Sequence, residues 1–173
     1  MTNKKLNLIY FSATNTTKTI IETIAAGAGQ FEVCEYNITK GQQEDITFGD
    51  DDIVIIGVPV YGGRIPRTAE ESLNRFHGNN APAIVVCVYG NRDYDDALLE
   101  LKDLTTSNGF RAISAGAFLA QHSIFPNVAV GRPDIADKEK AREFGQKSIE
   151  LILNKMDSAS LPDIHVKGNS PYK

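Results

Sequence analysis

The chain reads as an α/β protein, a doubly wound three-layer sandwich on a five-stranded parallel sheet of order 2-1-3-4-5. Three observations predict this. Five apolar runs, at residues 6–11, 31–36, 53–58, 83–89 and 112–119, alternate with segments whose apolar residues recur at helical spacing. The third and fourth runs are almost unbroken Val, Ile and Ala, which suits central strands covered on both faces. Residues fit for ligand chemistry gather after the strands, whereas Gly29-Gln30 and Asn79-Asn80, at the opposite edge, are plain turns. Alternating strands and helices imply right-handed crossovers. A 2-1-3-4-5 sheet binds its ligand beyond the carboxyl ends of the strands, where the order reverses between the first and third.

Element by element, strand 6–11 leads into Ser12-Ala13-Thr14-Asn15-Thr16-Thr17-Lys18, and a helix over 17–28 turns Ile20, Ile21, Ile24, Ala25 and Ala28 inward. Strand 31–36 follows, and residues 37–52 read as a loop with at most a short helix, in which Asp50, Asp51 and Asp52 form a solvated turn. After strand 53–58 comes Pro59-Val60-Tyr61-Gly62-Gly63-Arg64-Ile65-Pro66, and Pro66 opens a helix carrying Ala69, Leu73 and Phe76. Strand 83–89 ends in Tyr89-Gly90-Asn91-Arg92-Asp93-Tyr94. Asp93 or Asp95 then caps a helix bearing Ala97, Leu98, Leu101 and Leu104, which Gly109 ends. Strand 112–119 leads to Gln121-His122-Ser123-Ile124-Phe125-Pro126, and a last helix over 137–156 points Ala141, Phe144, Ile149, Ile152 and Met156 inward. Residues 1–157 form one domain, and 158–173 an arm or linker.

At 173 residues, 42% hydrophobic and 23% charged, the chain has the length and composition of one globular domain. A net charge of −4 argues against nucleic-acid binding and fits small ligands or basic protein partners. No apolar stretch approaches a membrane span, and Met1 to Lys5 runs into a strand without the apolar core of a secretory leader. The expected location is cytoplasmic. Cys34 and Cys87 fall inside strands and read as small buried hydrophobes.

The first loop carries the chemistry. A helix N-terminus presents unpaired N–H groups and the positive end of a dipole. Five hydroxyl or amide side chains within residues 12–17 exceed what capping needs and suit a phosphate monoester held without metal. The loop lacks the Gly-Lys-Ser/Thr ending of a Walker loop and the glycine fingerprint of dinucleotide binders. Tyr61, beside two glycines and between two prolines, and Tyr89 and Tyr94, around Gly90 and Asn91, suggest a slot for a flat heteroaromatic group with a phosphate tail.

These residues resemble flavodoxin-like FMN-binding domains, and more narrowly the flavodoxin-like half of flavodoxin–ferredoxin fusion proteins, the ferrodoxins. That family's phosphate loop commonly reads S-P/A-T-G-T-T-K, and its later patterns G-V-P-V-Y-x-G-R-x-P and V-Y-G-N-R-x-Y-x-D-A-L correspond to residues 57–66 and 88–98. The likeness extends through Gly168-Asn169-Ser170-Pro171-Tyr172. It implies an FMN phosphate held by Ser12, Thr14, Asn15, Thr16 and Thr17. It places the isoalloxazine ring between Pro59, Val60, Tyr61, Gly62 and Gly63 on one side and Tyr89, Gly90, Asn91, Arg92 and Tyr94 on the other. A peptide beside Gly62 or Gly63 would flip to offer a carbonyl to the ring as it gains an electron.

There are two departures. Asn15 stands where the family has glycine, and Asn is the residue that best tolerates the left-handed backbone glycine would adopt there. The cysteine-rich iron–sulfur segment of the fusion proteins has no counterpart within these residues.

The expected function is an FMN electron carrier, or electron-transfer domain, serving a redox partner protein; an iron–sulfur protein or domain is one such partner. The alternative is an NAD(P)H-dependent FMN reductase of the same fold acting on quinones or similar acceptors. Phosphoacceptor receivers share the strand order but need acidic residues where this chain has Phe11-Ser12 and Val58-Pro59. Arg64 and Arg92 would offset the chain's negative charge beside the flavin, dock a partner, or stand solvated. His122 reads as a loop histidine rather than a group acting on the ring.

Overall fold

In chain order the elements are β1 (Lys5–Tyr10), α1 (Thr16–Ala28), β2 (Glu32–Asn37), β3 (Ile46–Thr47), β4 (Asp52–Pro59), α2 (Arg67–Leu73), β5 (Phe76–His77), β6 (Pro82–Tyr89), α3 (Ala97–Ser107), β7 (Arg111–Leu119) and α4 (Ile135–Lys155). They come from a computed structural model that describes residues 4–90, 93–121, 127, 129–155 and 164–173. Five strands form one sheet in the order β2-β1-β4-β6-β7, every pair parallel. Without the two-residue strands β3 and β5, that is the expected order 2-1-3-4-5.

Strand alternation builds two cores, one on each face of the sheet. Leu6, Leu8 and Tyr10 of β1, with Ile53 and Ile55 of β4, meet Ile20, Ile21 and Ile24 of α1 and Ala141, Ile149 and Ile152 of α4. The intervening Ile9, Val54, Ile56 and Val58 face the other way, with Ala69 and Leu73 of α2 and Ala97, Leu98 and Leu101 of α3. Because β4 and β6 lie between both layers, neither can alternate polar with apolar, which is why they read as continuous apolar runs. The polar exception in β1 is buried Asn7, whose amide donates to Asp52 Oδ1 (3.1 Å) and the Ile53 carbonyl (3.3 Å).

Helices α1 and α4 approach backbone to backbone. A side chain on Gly27 would run into the Arg142 carbonyl, and one on Gly145 into the Ile24 carbonyl. The start of α4 is fixed by a reciprocal cap: Asp134 N donates to Asp137 Oδ2 and Asp137 N to Asp134 Oδ1, each at 2.9 Å. Arg132 grips the same Asp137 carboxylate with Nε and a terminal nitrogen, and these bonds hold that carboxyl down at about 2.

Several boundaries differ from the sequence reading. Phe76, expected on the helix after Pro66, lies in β5 beyond the end of α2, because its ring joins Tyr36 (5.6 Å) and Phe48 (6.2 Å) between ring centroids. Its strand pairs in parallel with β3, so the expected loop over 37–52 contains a strand. Asp52 is no part of a solvated turn: it starts β4 and accepts from Asn7 and from Gly49 N (3.0 Å). The N-cap of α3 is Asp96 rather than Asp93 or Asp95, and its C-cap is Asn108, one residue before Gly109. Cys87 is buried in β6 and Cys34 half-buried in β2. Met156 lies outside the described residues.

Candidate functional site

The sheet ladder continues past the strand ends and draws the carboxyl-edge loops together. Phe11 N donates to the Gly57 carbonyl (3.1 Å), Val60 N to Val88 (3.0 Å) and Ala120 N to Tyr89 (2.9 Å). Between the loops lies a cleft of about 390 Å3, counting the space open to solvent. The first loop lines it with Ala13, Thr14, Thr16 and Thr17, the second with Pro59, Val60 and Tyr61, and the third with Val88, Tyr89 and Gly90. Ala120 and Gln121 close the side beyond β7. None of these lining residues carries a formal charge.

The hydroxyl loop divides its labour. Asn15 takes the left-handed backbone its identity suggested, with φ 65°, and its carbonyl accepts from Thr19 N (2.9 Å) and Thr19 Oγ1 (2.8 Å). Asn15 is thus the turn residue at the start of α1 and does not line the cleft. Ser12 also works within the loop: its Oγ accepts from Lys18 N (3.1 Å), while its own N–H donates to Thr39 Oγ1 (2.9 Å). Thr14 and Thr16 remain open to a ligand, with their Oγ1 atoms 3.4 Å apart, and Thr17, though buried, also lines the cleft. Thr16 and Thr17 open the first turn of α1, where N–H groups lack intrahelical partners, and Thr14 lies just before its N-cap Asn15.

The second loop is a tight reversal. Tyr61 N donates to the Arg64 carbonyl (2.8 Å) and Arg64 N to Tyr61 (3.1 Å), with φ 60° at Gly62 and 80° at Gly63. Two successive positive φ values make a type I′ turn, which glycines adopt without strain. The turn leaves Tyr61 at the rim, 37% exposed, edge-on to Phe11 with ring centroids 6.4 Å apart. Gly62 and Gly63 shape the turn but do not line the cleft. Arg64 is not among the lining residues: with its side chain still 40% exposed, it binds Glu100 through Nε and a terminal nitrogen, each at 2.7 Å. Ile65 N donates to the same carboxylate (3.1 Å).

On the third loop Tyr89 lines the cleft, and Tyr94, not among the lining residues, packs against it with ring centroids 5.4 Å apart. Asn91, Arg92 and His122 lie outside the described residues. Sequence reasoning did not single out Ala13, Val88, Ala120 and Gln121. Ala13 and Gln121 stood in the quoted loops, but Val88 and Ala120 only become lining residues once neighbouring strand ends are aligned.

The sequence profile of the flavodoxin domain family matches residues 7–109. The chain belongs to that family. Membership implies a flavin cofactor, and the chemistry of the cleft lining suits one: neutral hydroxyls at a helix N-terminus for a phosphate, beside an aromatic rim for a ring. No curated protein matches the chain in sequence. Among solved structures, the flavodiiron core Flv1 from Synechocystis sp. PCC6803 superposes with a TM-score of 0.64 at 17% identity, covering 88% of this chain and 36% of that one. This flavodoxin domain therefore spans little more than a third of that protein's length. A flavodoxin from the domain Archaea gives 0.57 at 14% identity, covering 86% and 99%. A flavone reductase gives 0.65 at 12% identity, covering 96% and 67%. At these identities the likeness is one of fold. No helix among the described residues is long and apolar enough to cross a membrane, and no group of three or more His, Cys, Asp or Glu among them could hold a metal.

Proposed function

We propose that the chain is an FMN-binding electron-transfer protein or domain, with residues 1–157 forming the FMN-binding domain and 158–173 its arm. The observation that carries this reading is the adjacency, in one cleft whose lining among the described residues bears no formal charge, of three threonines around the start of α1 and the Tyr61 and Tyr89 walls. Thr14, Thr16 and Thr17, with the first amides of α1, would hold the phosphate through fixed dipoles. Tyr61 and Tyr89 would flank the ring. The bound flavin would supply reversible electron transfer. Because Tyr61 lies at the rim, the ring edge would remain within reach of a partner surface. The motifs at residues 57–66 and 88–98 support kinship with the ferrodoxins, and with it an iron–sulfur protein or domain as redox partner and a cytoplasmic setting.

The test is a visible absorption spectrum after adding FMN and removing the excess, followed by stepwise reduction. We expect about one flavin per chain, reduced in two resolved one-electron steps. Bound flavin that is reduced in a single two-electron step, and bleached by NADPH alone, would move the assignment to the reductase. A folded protein that does not retain FMN would overturn the reading.

A further inference from the structure

Residues 164–173 lie along α3 and reach both aromatic loops of the cleft. Asp96, buried at the N-cap of α3, makes no side-chain bond to its own helix. Its carboxylate accepts instead from the arm, from Asn169 N (2.8 Å) and Lys173 N (2.9 Å). Lys102 Nζ donates to the Ile164 carbonyl (2.8 Å), Val166 packs on the core, and a Cβ at Gly168 would come 2.7 Å from Leu99 Cβ. This is a specific attachment, with main-chain bonds, an apolar contact and a position open only to glycine.

From that seat the arm makes two contacts toward the cleft. The Tyr172 ring lies against the Arg64 guanidinium, 5.1 Å from its centroid, and its hydroxyl donates to Asp103 Oδ2 (2.5 Å). Arg64 closes the turn that presents Tyr61, and is held on its other side by buried Glu100. Lys167 Nζ bonds both oxygens of Asp93 (2.6 and 2.7 Å) and lies 4.7 Å from the Tyr94 ring, which supports Tyr89. Each cleft tyrosine therefore has the arm one contact behind it.

We infer that the 164–173 arm is the positioning element of the cleft: through Tyr172–Arg64 it fixes the Tyr61 turn, and through Lys167–Tyr94 it fixes Tyr89. Its effect on bound flavin rests on the flavin reading above; its effect on the loops does not. Tyr172, Lys167 and Asp96 are positioning residues. Their loss leaves the phosphate-binding threonines in place while loosening the aromatic walls.

The test compares wild type with Tyr172→Ala, Tyr172→Phe and Asp96→Asn in the full chain, by amide hydrogen exchange without flavin and then as FMN complexes. In Tyr172→Ala the amides of Tyr61, Arg64 and Ile65 should exchange about tenfold faster, equivalent to ~1.4 kcal/mol of easier local opening. Those of β4 and β6 should not change. Tyr172→Phe keeps the ring against Arg64 and should restore slow exchange. Asp96→Asn should loosen both loops; if it fails to fold, the Tyr172 pair carries the test. In the FMN complexes the visible circular dichroism and the midpoint potential should shift in Tyr172→Ala and follow wild type in Tyr172→Phe. Unchanged exchange at residues 61–65, or a uniform rise that includes β4 and β6, would overturn the inference. So would faster loop exchange with unaltered dichroism and potential, which would confine the arm to loop stability. Failure of wild type to retain FMN defeats the flavin reading alone, since exchange in the free protein still decides whether the arm holds the loops.

Discussion

Thr14, Thr16 and Thr17 carry the phosphate assignment, because Ser12 and Asn15 are engaged within the loop. Ser12 caps Lys18 N, and the Asn15 carbonyl is engaged by Thr19. Replacing Thr14 and Thr17 together by Ala should weaken FMN about a hundredfold while barely changing riboflavin, as expected for two hydrogen bonds to a charged group. Paired titrations of the two flavins check this, and equal losses would remove the phosphate from this loop. Much of the site was legible at this scale. Hydroxyl density, the aromatic pairs and the left-handed position at Asn15 are properties of residue type. The division of roles was not: a serine before a helix reads the same whether its oxygen meets an amide or a ligand. Arg64 was opaque for a similar reason, since Glu100 lies on another element and only tertiary structure brings the two together.

At the scale of elements, α4 packs closely on the C-terminal half of α1. Their axes come close because Gly27 and Gly145 leave room for each other's backbone. Gly145→Ala would force a methyl into the Ile24 carbonyl, which has no rotamer to yield. The expected cost is about 3 kcal/mol, the upper end for overpacking, with a fall in Tm of roughly 6–12 °C. Thermal unfolding followed by circular dichroism measures it; a loss below about 1 kcal/mol would mean the helices separate freely. Strands and helices were readable because periodicity is local. The β3–β5 pair was not, because two-residue strands have no period and form where the Tyr36, Phe48 and Phe76 rings collect. Glycine inside a helix reads as a weak former; its use as a contact point appears only when both helices are placed.

Over the whole molecule, three carboxylates fasten peripheral segments: Asp137 the approach to α4, and Asp96 and Asp93 the arm. The Asp137 carboxyl is held down at about 2, chiefly by Arg132. Asp96 is held below its ordinary value by the Lys173 and Asn169 amides, and Asp93 by Lys167. Each folded value lies below the unfolded one, so each contribution is complete above about pH 4, the ordinary carboxylate range. It is lost as the pH falls through the folded value. Unfolding free energy in urea should be level above about pH 5 and decline between about 4 and 2, and Asp137→Asn should flatten the decline. A slope unchanged in that variant would place the titration elsewhere. The sheet order followed from alternation of strands and helices, and the carboxyl-edge site from that order. The seating of residues 164–173 had no signature, because main-chain bonds to a distant aspartate leave no pattern in side-chain identity.

That last point bears on how the arm can vary. Asp96 grips the arm chiefly by its peptide groups, with the Lys173 charge adding to the hold, so the side chain at Asn169 is not what it recognises. Substitution at Asn169 would preserve the attachment, while Gly168, Tyr172 and Lys167 answer to shape, ring and charge in turn. The arm thus joins a few constrained positions to freely drifting ones. Its surface chemistry could be rewritten over generations without releasing the loops beneath it.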